Sequence, residues 1–302
     1  MNKNDNKTLP LKYSDLPSHK YFALDPPEIL YHYTDIKGAF EIIKSKSLWL
    51  TKIQYLNDKS ELSLSIDNFG QVLNKLSSKI KDNDKKKFLY EYHHQLKSFE
   101  FTNLCVASFC ENGDLLSQWR GYGKSGKGIS LGFTSKIFER DFPKNKVFLR
   151  KCVYDLWQQE EIITDLIDNL LKSYEICSPE ISDSSKTTRK DLIGYFNTLF
   201  LGVAPTMKNM HFSEEKEWRV ILPQVKYTDK DFFATNLGER LIQYYNLDFS
   251  IKEKENYDFL KEIVIGPSDN QRLIGDAFNT HLYKNKVRCN TIRYSQIPFI
   301  NG

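Results

Sequence analysis

The residues best suited to chemistry lie in Ser213-Glu214-Glu215-Lys216-Glu217-Trp218-Arg219, which runs straight into the apolar Val220-Ile221-Leu222. Side chains at i, i+2 and i+4 of a strand share a face. An extended chain here therefore presents Glu215, Glu217 and Arg219 together and turns Trp218 and Val220 toward the core. A carboxylate beside cations at a strand end can act as an acid, a base or a fixed negative charge in a cleft. The same pattern also describes an edge strand with a charged, solvated face. Three further polar-aromatic islands break the apolar pattern: Tyr31-His32-Tyr33-Thr34, Gln54-Tyr55-Leu56-Asn57-Asp58 and Ser117-Gln118-Trp119-Arg120-Gly121-Tyr122-Gly123. Each falls at the end of a predicted strand or in the turn after it, where rigid elements hand side chains to a cleft.

Arg120 and Arg219 are the cations suited to a diphosphate, because a planar guanidinium matches phosphate oxygens with two parallel hydrogen bonds. Gly121, Gly123, Gly126 and Gly128 would let backbone N–H groups approach an anion, and would serve equally well in a turn between helix and strand. His32 offers one donor and one acceptor near neutral pH; it would also be at home hydrogen-bonded inside a strand end. Asp58 and Glu61 could join Glu217 around a divalent metal for nuclease chemistry, although Asp58 also suits the cap of the helix that begins there. No metal site is assigned.

The elements that must position these residues follow from periodicity. Glu28 to Tyr33 reads as a strand after Pro26-Pro27, with Asp35 capping a helix whose stripe is Ile36, Ala39, Phe40, Ile42 and Ile43. Leu48-Trp49-Leu50 is a second strand. Two helices are predicted between Asn57 and Leu96, joined by the charged run Lys79–Lys87. Leu104–Phe109, Gly128–Phe133 and Phe148–Tyr154 read as strands, with a short helix broken by glycines around Trp119. Helices are predicted near 158–175 and 189–209, then the strand after Glu217. A strand over Glu262–Ile265, a helix capped by Asn270 and the closing strand Thr291–Tyr294 complete the chain. Strands and helices mix without a βαβ repeat, so the fold class is α+β with largely antiparallel sheets. Residues 1–20 read as a mobile polar lead-in. Residues 21–302 read as a single domain with helical insertions near 57–100 and 156–210.

Composition narrows the function classes. A formal charge of +4 over 302 residues permits an anionic ligand or nucleic acid and requires neither. Five cysteines without a Cys-x-x-Cys pair, and no signal peptide, point to free thiols in a reducing cytoplasm. No apolar run approaches the ~20 residues of a membrane helix. Histidines and cysteines never gather at zinc-ligand spacing.

The joint order of motifs is specific: YHYT at 31–34, LND-x-x-E at 56–61, SF-x-E-N at 108–112, QWRGYG at 118–123, G-x-S-LGF at 128–133, EKEWR at 215–219 and IGP at 265–267. In this the chain resembles a domain-of-unknown-function family found widely in bacterial and phage genomes, from about Leu30 to the closing helix. More distantly it resembles the ADP-ribosyltransferase superfamily, which places a His or Arg on the first strand, a Ser or Tyr mid-chain and a catalytic Glu on a late strand. That second resemblance implies an ADP-ribosyltransferase-like core, NAD as substrate and a protein or nucleic-acid acceptor, in a toxin or phage-defence effector. It makes His32 the residue that holds the NAD ribose, and Tyr55, Tyr122 or Trp119 the ring that stacks on nicotinamide. Glu217 becomes the catalytic carboxylate, with Glu215 orienting the acceptor. The Glu-x-Glu pair belongs to the branch with a first-strand arginine and His32 to the other, so the division of roles stays open. A metal-dependent nuclease and a non-catalytic nucleotide- or partner-binding module are the alternatives.

Overall fold

Short runs of β-branched and aromatic residues form the strands of one ten-stranded sheet, and stripes of apolar residues at helical spacing form the helices that cover it. In chain order the computed structural model has α1 (His19–Phe22), β1 (Ile29–Asp35), α2 (Ile36–Ser45), β2 (Ser47–Lys52), α3 (Glu61–Ser77), α4 (Asn83–Leu96), β3 (Cys105–Cys110), α5 (Leu116–Tyr122), β4 (Gly128–Thr134), α6 (Lys136–Glu139), β5 (Phe148–Lys151), α7 (Leu156–Ile176), α8 (Arg189–Val203), β6 (Glu217–Leu222), β7 (Phe232–Leu237), β8 (Arg240–Asp248), β9 (Leu260–Ile265), α9 (Gln271–Asn285) and β10 (Thr291–Tyr294). It describes residues 16–56, 61–98, 102–122, 128–139, 147–176, 189–237, 240–250 and 258–298. The fold is mixed α and β with a mostly antiparallel open sheet. Among the paired strands only β9 and β10 run parallel.

Local signals explain several boundaries. The Asp35 carboxylate accepts from the Gly38 N–H at 2.7 Å, a cap worth about 1 kcal/mol. Asn270 stands at the N-cap of α9, but its side chain makes no capping bond. The charged run after Lys79 is not all connection: Asp82 caps α4, so Lys85, Lys86 and Lys87 lie within the helix. The expected lead-in ends earlier than residue 20. Leu16 and Phe22 are buried, and the Ser18 N–H donates to Asp165 at 2.7 Å. Asn57, Asp58, Gly123, Gly126 and residues 1–15, which figure in the sequence expectations, lie outside the described residues, as does the side chain of Glu61.

Two apolar layers sandwich the sheet. On one face Leu30, Leu50, Phe109, Leu131, Phe133, Trp218, Val220 and Ile263 meet Ala39 and Ile43 of α2 and Phe278 of α9. On the other, Val106 and Ile221 meet α3, α4, α7 and α8. Phenylalanines fill both layers, and in the first Phe109, Phe133, Phe138, Phe249 and Phe259 contact one another ring to ring. β6 is not an edge strand: β3 and β5 flank it, and all six of its residues are buried.

The sheet forks at β3. One edge of β3 is laddered along its whole length to β6. The other edge is shared: β2 pairs with Cys105 and Val106, and β1 pairs with Cys110. Between them Ala107, Ser108 and Phe109 have no strand partner on that edge among the described residues. This break, where β1 and β2 diverge, opens the sheet beside the site.

Candidate functional site

His32 stands in the fork. Its Nδ1 lies 3.0 Å from the Ser108 carbonyl, filling the place of a missing ladder bond. Burial lowers the pKa of the imidazole, only partly offset by that carbonyl. The ring is therefore neutral at pH 7. A carbonyl can only accept, so Nδ1 carries the proton and Nε2 is left as an acceptor.

A cleft of about 800 Å³ opens over the fork. Of the expected residues His32, Tyr55, Tyr122, Glu215, Glu217 and Arg219 line it, together with Trp49, Ser108, Gln118, Lys208, Phe212 and Arg240. Residues distant in sequence meet here because β1, β2 and β6 all border the break in β3.

The floor is a buried ion cluster. Arg219 Nε donates to Glu217 Oε1 at 2.7 Å, and its Nη2 donates to Oε2 at 3.2 Å. Arg219 Nη1 donates to the Pro205 carbonyl at 2.6 Å. Lys208 Nζ donates to Glu217 Oε2 and to Glu215 Oε2, each at 2.5 Å. The Glu217 N–H donates to the Tyr154 hydroxyl at 2.9 Å. Burial alone would raise the Glu217 pKa. The charges of Arg219 and Lys208, with their hydrogen bonds, outweigh it and hold the carboxyl at about 2. Burial likewise opposes the charge on Lys208, but the Glu217 carboxylate raises its pKa above the ordinary lysine value. Two carboxylates and two cations thus share one largely desolvated patch, in which the charges of Glu217 and Lys208 sustain each other. Burial and the nearby Glu217 carboxylate push the Tyr122 phenol up to about 12, so it remains a hydrogen-bond donor.

Three placements differ from the sequence reading. Glu215 does not reach the cleft along a strand. It ends a 3₁₀ turn over Met210–Glu215, and Lys216 at φ 42° turns the chain into β6. Trp119 is fully buried rather than in the cleft, edge-on to Tyr33 at 4.7 Å with its indole N–H donating to Asp114 at 2.7 Å. Arg120, next along α5, is exposed and stands outside the cleft wall. The two carboxylates that precede it in sequence are engaged elsewhere, Glu111 with Lys151 and Trp218, Asp114 with Trp119 and Ser295. Arg219 does line the cleft, with its Nε, Nη1 and Nη2 each donating to Glu217 or to the Pro205 carbonyl. Arg120→Lys is therefore expected to change stability by no more than about 0.5 kcal/mol and to leave nucleotide affinity unchanged. Calorimetric titration beside thermal melts checks this, and a tenfold loss of affinity would return Arg120 to the site.

A family model described as "Protein of unknown function (DUF2971)" matches residues 118–220. The matched span is narrower than the motif set. It holds Tyr122, Lys208, Glu215, Glu217 and Arg219, but stops short of His32 and Tyr55. No curated protein matches the chain.

Lys208 is the member of the ion cluster that the sequence reading lacks. A signal for it existed. Pro205 disfavours helix in the residue before it, and α8 ends at Val203 with a 3₁₀ turn over Ala204–Thr206. That stop makes Lys208 part of a buried connection rather than the end of a helix over 189–209. Among the described residues no group of three His, Cys, Asp or Glu side chains is placed to hold a metal ion, and no helix is long and apolar enough to cross a membrane.

Proposed function

We propose that the cleft binds NAD and breaks its nicotinamide–ribose bond, passing ADP-ribose to a protein or nucleic-acid acceptor. The observation that carries this reading is the convergence of His32, Tyr55, Tyr122, Glu215 and Glu217 on one cleft from both halves of the chain. In this reaction the bond from ribose C1′ to the pyridinium nitrogen breaks and its electron pair leaves with nicotinamide. The ribose is left with oxocarbenium character, and an acceptor atom then bonds to C1′ and loses its proton. Glu217 suits the electrostatic part of this chemistry. With a pKa near 2 it carries a fixed charge at neutral pH and has no proton to exchange. Its carboxylate would face the developing cation. His32 Nε2 would accept from a ribose hydroxyl, and Tyr55 or Tyr122 would cover the nicotinamide ring. Glu215, half-buried at the cleft and bound through Lys208, would orient the acceptor.

One observation favours a second reading, a nucleotide-binding module without turnover. Lys208 and Arg219 already neutralise the two carboxylates, which weakens any field that Glu217 can offer a substrate. Incubation with NAD labelled in the nicotinamide ring separates the two. Release of the label supports transfer. Calorimetric binding without release supports the module, and neither signal would overturn both.

A further inference from the structure

We infer that Trp49 is the stacking platform for a purine base, so that the ligand of the cleft is an adenine-type nucleotide held by its base at the β2–β8 wall. This deepens the reading of the cleft as a nucleotide site and rests on it. Two of the four tryptophans, Trp119 and Trp218, are almost fully buried, whereas Trp49 lies on the cleft wall 39% exposed. Leaving so large an apolar ring in water is unfavourable in proportion to the area exposed. It is here nonetheless, on a rigid strand.

The indole is also held in place. Its ring lies 4.0 Å from that of Tyr244 with 20° between the planes, and Phe233 follows Tyr244 at 5.8 Å and 33°. The ladders fix this row, with Trp49 opposite Asn246, Thr51 opposite Tyr244 and Phe233 opposite Tyr244. Opposed residues of an antiparallel pair share a face. One face of the indole is thus covered by Tyr244 while the ring borders the cleft. A ring already fixed by its neighbours loses little freedom when a flat ligand stacks on it. Parallel stacking suits a nucleobase better than an aliphatic chain. Arg240 borders the same wall, is exposed, and makes no ion pair among the described residues, so a ligand phosphate can approach it. The reacting end lies elsewhere. Glu217 on β6 and Glu215 in the turn before it both accept from Lys208 Nζ on the cleft floor, which Tyr122 of α5 borders. From Trp49 on β2 to Glu217 on β6 the path crosses β3 at the fork, more than two strand spacings of about 4.8 Å. A diphosphate-bridged nucleotide can lay its base on the first and its distal ribose on the second.

The test is fluorescence titration of the full chain carrying Trp157→Phe, which removes the other exposed indole. AMP and ADP-ribose are expected to quench Trp49 emission, and nicotinamide mononucleotide is not. By calorimetry Trp49→Ala should weaken AMP about 10- to 100-fold and Trp49→Phe only a few-fold. Tyr244→Ala, which removes the brace and leaves the platform, should fall between them. Circular dichroism confirms that each variant is folded. Unchanged AMP affinity in Trp49→Ala overturns the assignment. Binding of NAD and nicotinamide mononucleotide without AMP overturns it too, while sparing the nucleotide reading. AMP binding through Trp49 without nicotinamide release supports the base site and counts against transfer. No binding of any of these nucleotides overturns both.

Discussion

Glu217→Gln is expected to cost the proposed transfer about 10²–10³-fold in kcat, and also to lower the stability of the folded chain by about 3–5 kcal/mol. The first effect follows from charge. The amide keeps the shape of the side chain and one acceptor but cannot face an oxocarbenium ion with a negative charge. The second follows from burial. Glu217 is 3% exposed and takes hydrogen bonds from both Arg219 and Lys208, so its neutral replacement leaves two desolvated cations with Glu215 alone. Rates must therefore be measured well below the melting temperature and referred to the folded fraction. Glu215→Gln is the control. It removes one partner of Lys208 and leaves the Arg219–Glu217 pair intact, so its effect on stability should be the smaller. Near-normal turnover in a folded Glu217→Gln protein would remove Glu217 from the reaction. A large loss in both variants would show that the cluster acts as a unit.

What the sequence made legible depends on which physical rule a residue obeys. Two-residue alternation placed Trp218 and Val220 in the core and Glu217 and Arg219 on the opposite face, and all four lie so. Alternation cannot say whether the second face is wet. Here the Ala204–Thr206 and Met210–Glu215 turns before β6, with Lys208 between them, cover it, and the expected solvated charges become a buried cluster. Glu215 escaped the strand reading because Lys216 adopts a positive φ, a conformation that nothing in lysine announces. The β7–β8 hairpin is absent from the expected elements, although Phe232-Phe233 and Tyr244-Tyr245 are strong strand formers. It carries Arg240 and the brace for Trp49, so one wall of the cleft was not legible. The fork at β3 was hidden in a different way. Sheet neighbours are long-range pairs, and no local pattern in Ala107-Ser108-Phe109 shows that one edge goes unpaired. Tyr55 and Tyr122, with a hydroxyl to place, border the cleft, whereas most phenylalanines, with no polar atom to satisfy, fill the two apolar layers.

Arg219→Met carries the second large effect, and its pH dependence is what identifies the cause. At pH 7 the variant leaves the Glu217 carboxylate with Lys208 as its remaining cation and deprives the Pro205 carbonyl of its donor, at a cost of about 3–5 kcal/mol. In the wild type the folded pKa of Glu217 is about 2 against an ordinary 4.5. The unfolded chain therefore takes up the proton first as the pH falls. The group contributes about 3 kcal/mol that is fully present above pH 4.5 and lost as the pH falls through 2. In Arg219→Met the first of the charges that hold the carboxyl down is gone, while burial still pushes it up. The folded pKa then moves back toward 4.5, and the variant has less to lose over the same window. The gap between the two proteins should be widest at pH 7 and should narrow steadily below 4.5. Denaturant unfolding at pH 7, 4.5 and 3 measures it. A gap that stays constant across these three values would mean that Arg219 stabilises the fold by packing alone, and that the fixed charge assigned to Glu217 does not depend on it.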